Sequence, residues 1–172
     1  MVPFARVWQA LESAGVRYVV VGGVAAVLHG NNRVTADLDV VVDLNPDQAR
    51  KAVDALLDIG LQSRLPVDAR LFADPVERKR WRDEKNMQVF SMYDPANPAV
   101  VVDLFVDSPM DFETLYGQSE VVGLPGGGVR ICSLGHLIEL KERCGRPQDL
   151  IDVENLRRLQ PGADRDVEDG QR

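Results

Sequence analysis

Two acidic residues interrupt an otherwise apolar segment near the start of the chain. Asp37 and Asp39 lie in residues 37–42, whose other members are leucine and valine. This composition predicts a β-strand, in which the two aspartates project from one face, about 6 to 7 Å apart along the backbone, while Leu38 points into the core. Two ionised carboxylates about 4 Å apart repel each other by roughly 4 kcal/mol at an effective dielectric constant near 20. A shared divalent cation would remove that repulsion.

A third acid lies in the apolar residues 100–106. Asp103 is the single charged residue of this predicted central strand, and an unpaired carboxylate there would cost several kcal/mol. We therefore expect Asp103 to complete the acidic site, with Asp107, on the same strand face, as the reserve candidate. The alternative interpretation of Asp103 is a buried salt bridge to an arginine such as Arg33. For Asp37 and Asp39, the alternative is that they lie in a turn at the end of the strand.

Oxygen ligands in an incomplete protein shell suit Mg²⁺, which keeps several waters and takes further ligands from nucleotide phosphates. One or two such ions would stabilise the charge on a transferred phosphoryl group while a carboxylate deprotonates or orients an attacking hydroxyl. The three carboxylates therefore point to phosphoryl transfer.

The pair Gly22-Gly23 lies between a predicted strand and a predicted helix. Glycines at such a corner allow close approach and leave backbone amides facing a phosphate. The pair is not the longer glycine motif of a P-loop or of a dinucleotide-binding fold. The glycine pair indicates a phosphate-binding site only in combination with the three aspartates.

The elements that position these residues follow from hydrophobic periodicity and from the glycines and prolines that interrupt it. Residues 87–93 and 100–106 are predicted to pair as antiparallel strands, and residues 61–86 give no clear pattern. Asn45 and Ser133 are predicted helix N-caps. The predicted helices are 3–14, 24–29, 46–59, 134–143 and 145–159, and the predicted strands are 16–21, 37–42, 87–93, 100–106, 121–124 and 129–132.

Composition limits the class of protein. The 172 residues contain 45% hydrophobic and 27% charged residues, which predicts one globular domain over residues 1–160 with a helical segment at 133–160. Residues 161–172 are expected to form a disordered acidic tail. The net charge of −7 excludes general attraction to nucleic acid. Two cysteines and no signal-like or membrane-spanning segment predict a cytoplasmic protein that does not bind membranes.

These residues together resemble the signature of the polymerase-beta-type nucleotidyltransferase superfamily: Gly22-Gly23, a spacer, residues 37–40 and the later Asp103. Residues 21–30 with Arg33 and Thr35 are similar to minimal bacterial nucleotidyltransferases, including the abortive-infection toxin group. Residues 140–152 resemble the C-terminal helical segment of those proteins. The resemblance covers residues 16–43, 99–107 and, more loosely, 134–157.

The resemblance implies an α/β (α+β) fold, with a mixed, partly antiparallel sheet flanked by helices and with C-terminal helices. It implies Mg²⁺-dependent transfer of a nucleoside monophosphate from a nucleoside triphosphate such as ATP to an acceptor hydroxyl, with release of pyrophosphate. The implied metal ligands are Asp37, Asp39 and Asp103, and the implied nucleotide-binding residues are Gly22, Gly23, Arg33, Thr35 and Lys141. Gly23 stands where many members have serine, so one triphosphate contact is expected to be missing.

Several alternatives stay open at this stage. Lys141 would equally form an ion pair with Asp149 or Asp152, and Arg33 and Thr35 would equally stabilise a turn. The basic residues 78–85 around Trp81 would either bind RNA phosphates and stack a base or form a solvated helix face. The acceptor could be RNA, protein or a small molecule, and the chain could be a toxin with an antitoxin partner. A non-catalytic nucleotide- or partner-binding module is the rival interpretation.

Overall fold

A mixed sheet organises the chain in the computed structural model, which describes residues 4–125 and 127–160. In these residues the strands are β1 (Tyr18–Val20), β2 (Asp37–Val42), β3 (Gln62–Ser63), β4 (Val89–Asp94), β5 (Asn97–Phe105), β6 (Glu120–Leu124) and β7 (Gly127–Ile131). The helices are α1 (Ala5–Ser13), α2 (Gly22–Leu28), α3 (Pro46–Asp58), α4 (Pro75–Lys85), α5 (Phe112–Gly117), α6 (Leu134–Cys144) and α7 (Pro147–Arg158), with a 3₁₀ helix at Ala69–Ala73. The predicted tail lies outside the described residues.

The order of strands across the sheet is β3-β4-β5-β2-β1-β7-β6. β2 is antiparallel to β1 and parallel to β5, while β4 and β5 form the predicted antiparallel hairpin. β1 runs parallel to β7, which pairs with β6 in a second hairpin. The expected mixed, partly antiparallel sheet flanked by helices is therefore confirmed, and β2 lies at its centre.

Alternation along β2 and β5 separates a buried face of the sheet from a partly open one. Leu38 is fully buried, as predicted, and Leu104 on the neighbouring strand is fully buried as well. Asp39, Asp103 and Phe105 are only half-buried. Because side chains alternate along a strand, the acidic positions of both strands lie on the open face.

The element boundaries differ from the predictions at the glycine corner. The first strand is shorter than residues 16–21, because Val21 is the N-cap residue of α2 and its amide bonds to the Asp39 carbonyl oxygen at 3.0 Å. α2 begins at Gly22 rather than at residue 24, so the glycines form the first helical turn. The Asn45 and Ser133 caps are confirmed.

The region that gave no clear pattern contains α4, which begins at an identifiable signal. The Asp74 side chain accepts a hydrogen bond from the Val76 amide and Pro75 occupies the first turn, both common features of helix starts. α5, which was not predicted, begins in the same way at Asp111, whose carboxylate accepts from the Thr114 amide. Six residues are too few to show a helical period.

The basic residues of α4 do not surround an exposed aromatic ring, which the RNA-binding interpretation required. Trp81 is buried and stacks on Phe90 with ring centroids 5.2 Å apart, so the interpretation in which it stacks a base is wrong. Arg78 is also buried and donates to the carbonyl oxygens of Phe72 and Leu44. Lys79, Arg80 and Arg82, which are exposed on this helix, form ion pairs with Asp83, Glu77 and Asp107.

None of the helices in the described ranges is both long enough and apolar enough to cross a lipid bilayer.

The buried position of Trp81 predicts its contribution to stability. We expect Trp81→Ala to lower the free energy of unfolding by about 3 to 5 kcal/mol, because it removes a large core side chain and leaves a cavity. Urea denaturation measures this loss. The exposed Lys85→Ala on the same helix is the control and should change stability by less than about 0.5 kcal/mol. Similar values for the two variants would contradict the core assignment.

Candidate functional site

The register between β2 and β5 brings two of the predicted acids together. Asp39 pairs directly with Asp103 across the parallel strands, and Asp37 pairs with Val101. Neighbouring strands lie about 4.8 Å apart, and paired residues project from the same face. Asp107 lies beyond the end of β5, where it accepts from Arg82 at 2.6 Å. The fold therefore places Asp103, and not the reserve candidate, beside Asp39.

Burial and nearby charge raise the pKa of Asp39 from 3.8 to about 6. Loss of hydration is the largest cause, and the neighbouring Asp103 charge adds to it; Asp37 also raises the pKa. The Gly23 amide, which donates to the carboxylate, and the positive charge of Arg146 act in the opposite direction. Asp39 is thus a carboxylate whose negative charge the folded protein compensates only in part.

Asp103 has a different partner from the arginine considered in the sequence analysis. Its Oδ1 accepts a hydrogen bond from Ser91 Oγ at 2.5 Å, and Ser91 is its direct cross-strand neighbour on β4. Arg33 instead forms an ion pair with Asp152. The sequence analysis missed Ser91, although a small polar residue among the apolar residues of a predicted strand was an available signal.

The three aspartates do not form a closed ligand shell as their side chains stand. In residues 4–125 and 127–160, no three His, Cys, Asp or Glu side chains are arranged as a metal-binding group. Asp39 and Asp103 are adjacent and half-buried, while Asp37 is exposed at the start of β2. Their donor atoms are carboxylate oxygens that carry excess negative charge at a partly open surface, and this fits a Mg²⁺ ion that keeps waters and takes phosphate ligands.

Gly22 packs directly against the carboxylate of Asp39. A Cβ atom at Gly22 would lie 2.0 Å from Asp39 Oδ2, and the residue has a φ of 62°. Both the left-handed backbone and the close approach require glycine at this position. The corner between β1 and α2 therefore holds Asp39 in place.

Gly23 is close to a hydroxyl group supplied by another residue. A Cβ atom at Gly23 would lie 2.3 Å from Thr35 Oγ1 and 2.9 Å from Thr35 Cβ, while the Arg33 guanidinium carbon would be 3.5 Å away. The serine that many similar proteins have at this position would therefore overlap Thr35 unless the Thr35 side chain moved. The segment before β2 places a threonine hydroxyl and a guanidinium group beside the glycine corner.

Lys141 lies in a buried ion-pair network between α6 and α7. Its Nζ atom is 2.7 Å from an Asp152 carboxylate oxygen and 3.3 Å from one of Asp149, and its side chain is 5% exposed. This is the ion pair that the sequence left open as the alternative. A direct contact between Lys141 and a nucleotide stays a prediction. The network includes Arg146, a residue near Asp39 that the sequence analysis did not single out.

Comparison with solved structures identifies the class of fold. A lincosamide antibiotic adenylyltransferase, LnuA, solved with lincomycin bound, is 16% identical, with 88% of this chain and 92% of that chain aligned at a TM-score of 0.57. ANT(2'')-Ia in complex with adenylyl-2''-tobramycin is 12% identical, with 95% and 90% aligned at a TM-score of 0.59. An antigenic nucleotidyltransferase-like protein from Paracoccidioides brasiliensis is 18% identical, with 94% and 77% aligned at a TM-score of 0.58.

The chain therefore has the nucleotidyltransferase fold, as the resemblance implied. No description of a known protein family and no curated protein sequence matches the chain. At these identities the similarity defines the fold alone.

The raised pKa of Asp39 predicts how a neutral replacement affects stability. The folded protein holds the Asp39 proton more tightly than the unfolded chain, so ionisation costs stability as the pH rises from about 4 through about 6. We expect Asp39→Asn to raise the free energy of unfolding of the metal-free protein by about 1 to 3 kcal/mol at pH 8 and by little at pH 4. Urea denaturation in the presence of a chelator measures this difference.

The exposed Asp58→Asn is the matched control for this measurement. An equal gain in the two variants at pH 8, or no gain in Asp39→Asn, would contradict the electrostatic interpretation.

The contact between Gly23 and Thr35 predicts coupling between the two positions. Gly23→Ser should cost about 1 to 3 kcal/mol of stability, because the new side chain overlaps Thr35. In a Thr35→Gly background the same change should cost less than about 0.5 kcal/mol, which a double-mutant cycle measures. Gly135→Ser, at a helical glycine with open space around it, is the control for introducing serine. Additive effects at positions 23 and 35 would show that the two residues do not compete for space.

Proposed function

We propose that the chain is a Mg²⁺-dependent nucleotidyltransferase, which transfers a nucleoside monophosphate from a nucleoside triphosphate to an acceptor hydroxyl. The pairing of Asp39 with Asp103 beside the Gly22 corner is the observation that carries this proposal. The nucleotidyltransferase fold supports the proposal. Catalysis of phosphoryl transfer depends mainly on positioning and on stabilisation of negative charge, and this fold positions the carboxylates that would hold the metal ion.

The metal ion would be held by Asp37, Asp39 and Asp103. When bound, Mg²⁺ supplies stabilisation of the negative charge that develops on the transferred phosphoryl group. Asp39 is held by the Gly23 amide and Asp103 by Ser91, so two of the three carboxylates have a fixed orientation.

At the α-phosphorus, the reaction forms one bond and breaks one. The acceptor oxygen bonds to the α-phosphorus, and the bond from that phosphorus to the oxygen bridging to the β-phosphate breaks, so that pyrophosphate leaves. Asp103 takes up the hydroxyl proton and passes it to solvent. The Thr35 hydroxyl and the Arg33 guanidinium lie together at the Gly23 corner and would bind phosphate oxygens.

A small molecule with a free hydroxyl group is the favoured acceptor. The net charge of −7 opposes binding of RNA, and among the basic residues of α4 all except Lys85 are buried or paired with acids. The same charge attracts cationic compounds. Two of the structures with this fold carry an antibiotic or its adenylylated form, lincomycin in one and adenylyl-2''-tobramycin in the other. Hydroxyl-bearing antibiotics are therefore the first compounds to test, with RNA and protein in the same panel.

The partly open face of the sheet offers a surface for such an acceptor. Tyr93, Val101 and Phe105 are half-buried on β4 and β5, and their alternation places them on the face that carries Asp103. Aromatic and aliphatic groups with a few polar groups among them are typical of small-molecule sites. The acceptor would therefore lie across β4 and β5, next to the carboxylates.

Replacement of the third acid tests this function. We expect Asp103→Asn to lower nucleotide transfer at least about a hundredfold, because the site loses a charged ligand and its proton acceptor. Asp107→Asn, four positions along the chain and outside the site, is the matched control and should keep most of the activity. The measurement is release of pyrophosphate and transfer of label from each nucleoside triphosphate to the acceptor panel, with Mg²⁺ and with a chelator.

Full activity of Asp103→Asn, or of the double variant Asp37→Asn with Asp39→Asn, would contradict the proposed mechanism. Binding of a Mg²⁺-nucleotide with no pyrophosphate release on any acceptor would favour the non-catalytic module instead. Growth arrest on expression, abolished by Asp37→Ala, would support the toxin hypothesis.

A further inference from the structure

Arg146 is an exposed arginine held in place by a buried acid. It occupies the turn between α6 and α7, as the N-cap residue of α7. Its Nε donates to Asp149 at 2.7 Å, and the Asp149 side chain is 6% exposed whereas that of Arg146 is 75% exposed. Within the described residues its Nη1 and Nη2 atoms have no hydrogen-bond partner. The side chain is therefore anchored at one nitrogen and free to bind at the other two.

A chain of direct contacts connects Arg146 to the glycine corner. Asp149 shares Lys141 with Asp152, and Asp152 also binds Arg33. The Arg33 guanidinium carbon lies 3.5 Å from the position that a Gly23 Cβ would occupy. Two guanidinium groups are thus fixed by two acids of the same helix, α7.

The charge of this network suits an anionic ligand. Three cations, Lys141, Arg33 and Arg146, share two carboxylates. The positive charge of Arg146 acts on the site of the aspartates of β2 and β5, because it lowers the pKa of Asp39 against the larger effects of burial and of Asp103. A nucleoside triphosphate that approaches these carboxylates brings further negative charge, which exposed cations at the rim would offset. Arginine suits this task, because its planar donors bind two phosphate oxygens at once.

We propose that Arg146 binds the phosphates of the nucleoside triphosphate, together with Arg33, and that Asp149 orients it for this contact. The proposal rests on the proposed function and adds a phosphate-binding residue on the C-terminal helices to those on the β1–α2 corner. The nucleotide would then contact two segments that are distant along the chain, because Arg33 precedes β2 and Arg146 is the N-cap residue of α7.

Arg146→Ala tests the inference, because the Arg146 side chain is exposed and Asp149 keeps its ion pair with Lys141 in this variant. Calorimetric titration with each of the four nucleoside triphosphates in Mg²⁺ and without acceptor measures affinity. We expect Arg146→Ala to weaken triphosphate binding about tenfold or more, and to weaken binding of inorganic pyrophosphate as well. Affinity for the corresponding nucleoside should change less than twofold. Arg146→Lys, which keeps the charge but not the planar fork, should lie between wild type and Arg146→Ala.

Arg143→Ala is the matched control, because this exposed arginine of α6 binds Glu139 and the Pro109 carbonyl oxygen instead. It should weaken triphosphate binding less than twofold. Unchanged affinity in Arg146→Ala, or equal losses in the two variants, would overturn the inference and leave the proposed function intact, since carboxylate-dependent transfer tests that function separately. A wild-type protein that binds no nucleoside triphosphate would overturn both.

Discussion

The repulsion between two carboxylates held side by side is the constraint on which the site depends. Asp39 and Asp103 are paired by the register of two parallel strands, so neither can move away without disrupting the centre of the sheet. Burial weakens the hydration that would otherwise screen the two charges, and the raised pKa of Asp39 reflects this cost. Neutralisation by a proton would relieve the repulsion at low pH. A divalent cation would relieve the repulsion at neutral pH. The destabilising pair of carboxylates is for that reason a candidate metal site for catalysis.

Neighbouring residues limit how far the Asp39 and Asp103 side chains can move apart. The Asp39 carboxylate packs so closely against Gly22 that no side chain would fit at position 22, and Ser91 on β4 donates a hydrogen bond to Asp103. Stability and activity are therefore expected to oppose each other at position 39, where a neutral side chain would stabilise the fold and remove a ligand of the site. The buried network around Lys141 fixes side chains in a similar way, because Asp149 and Asp152 of α7 are buried and hold the more exposed Arg146 and Arg33.

Local sequence signals predicted most of the elements but not their ends or the short ones. The Asn45 and Ser133 caps and the hairpin of β4 and β5 were correct, because caps, prolines and period-two patterns act within a few residues. The glycine corner shifted the start of α2, and the two residues of β3 have no periodic signal. For Trp81 the sequence suggested either base stacking or a place on a solvated helix face, and its burial against Phe90 in the core was not predicted.

The sequence by itself singled out the three acids of the candidate site, because charged residues within apolar strands are costly wherever the strands lie, and its resemblance to the nucleotidyltransferase superfamily implied the mixed fold. Tertiary structure decided the rest. It selected Asp103 over Asp107 through strand register, gave Asp103 a serine partner in place of an arginine, and placed Thr35 where a side chain at Gly23 would lie. These outcomes depend on which strands become neighbours and on where residues distant along the chain meet, and no local pattern encodes that information.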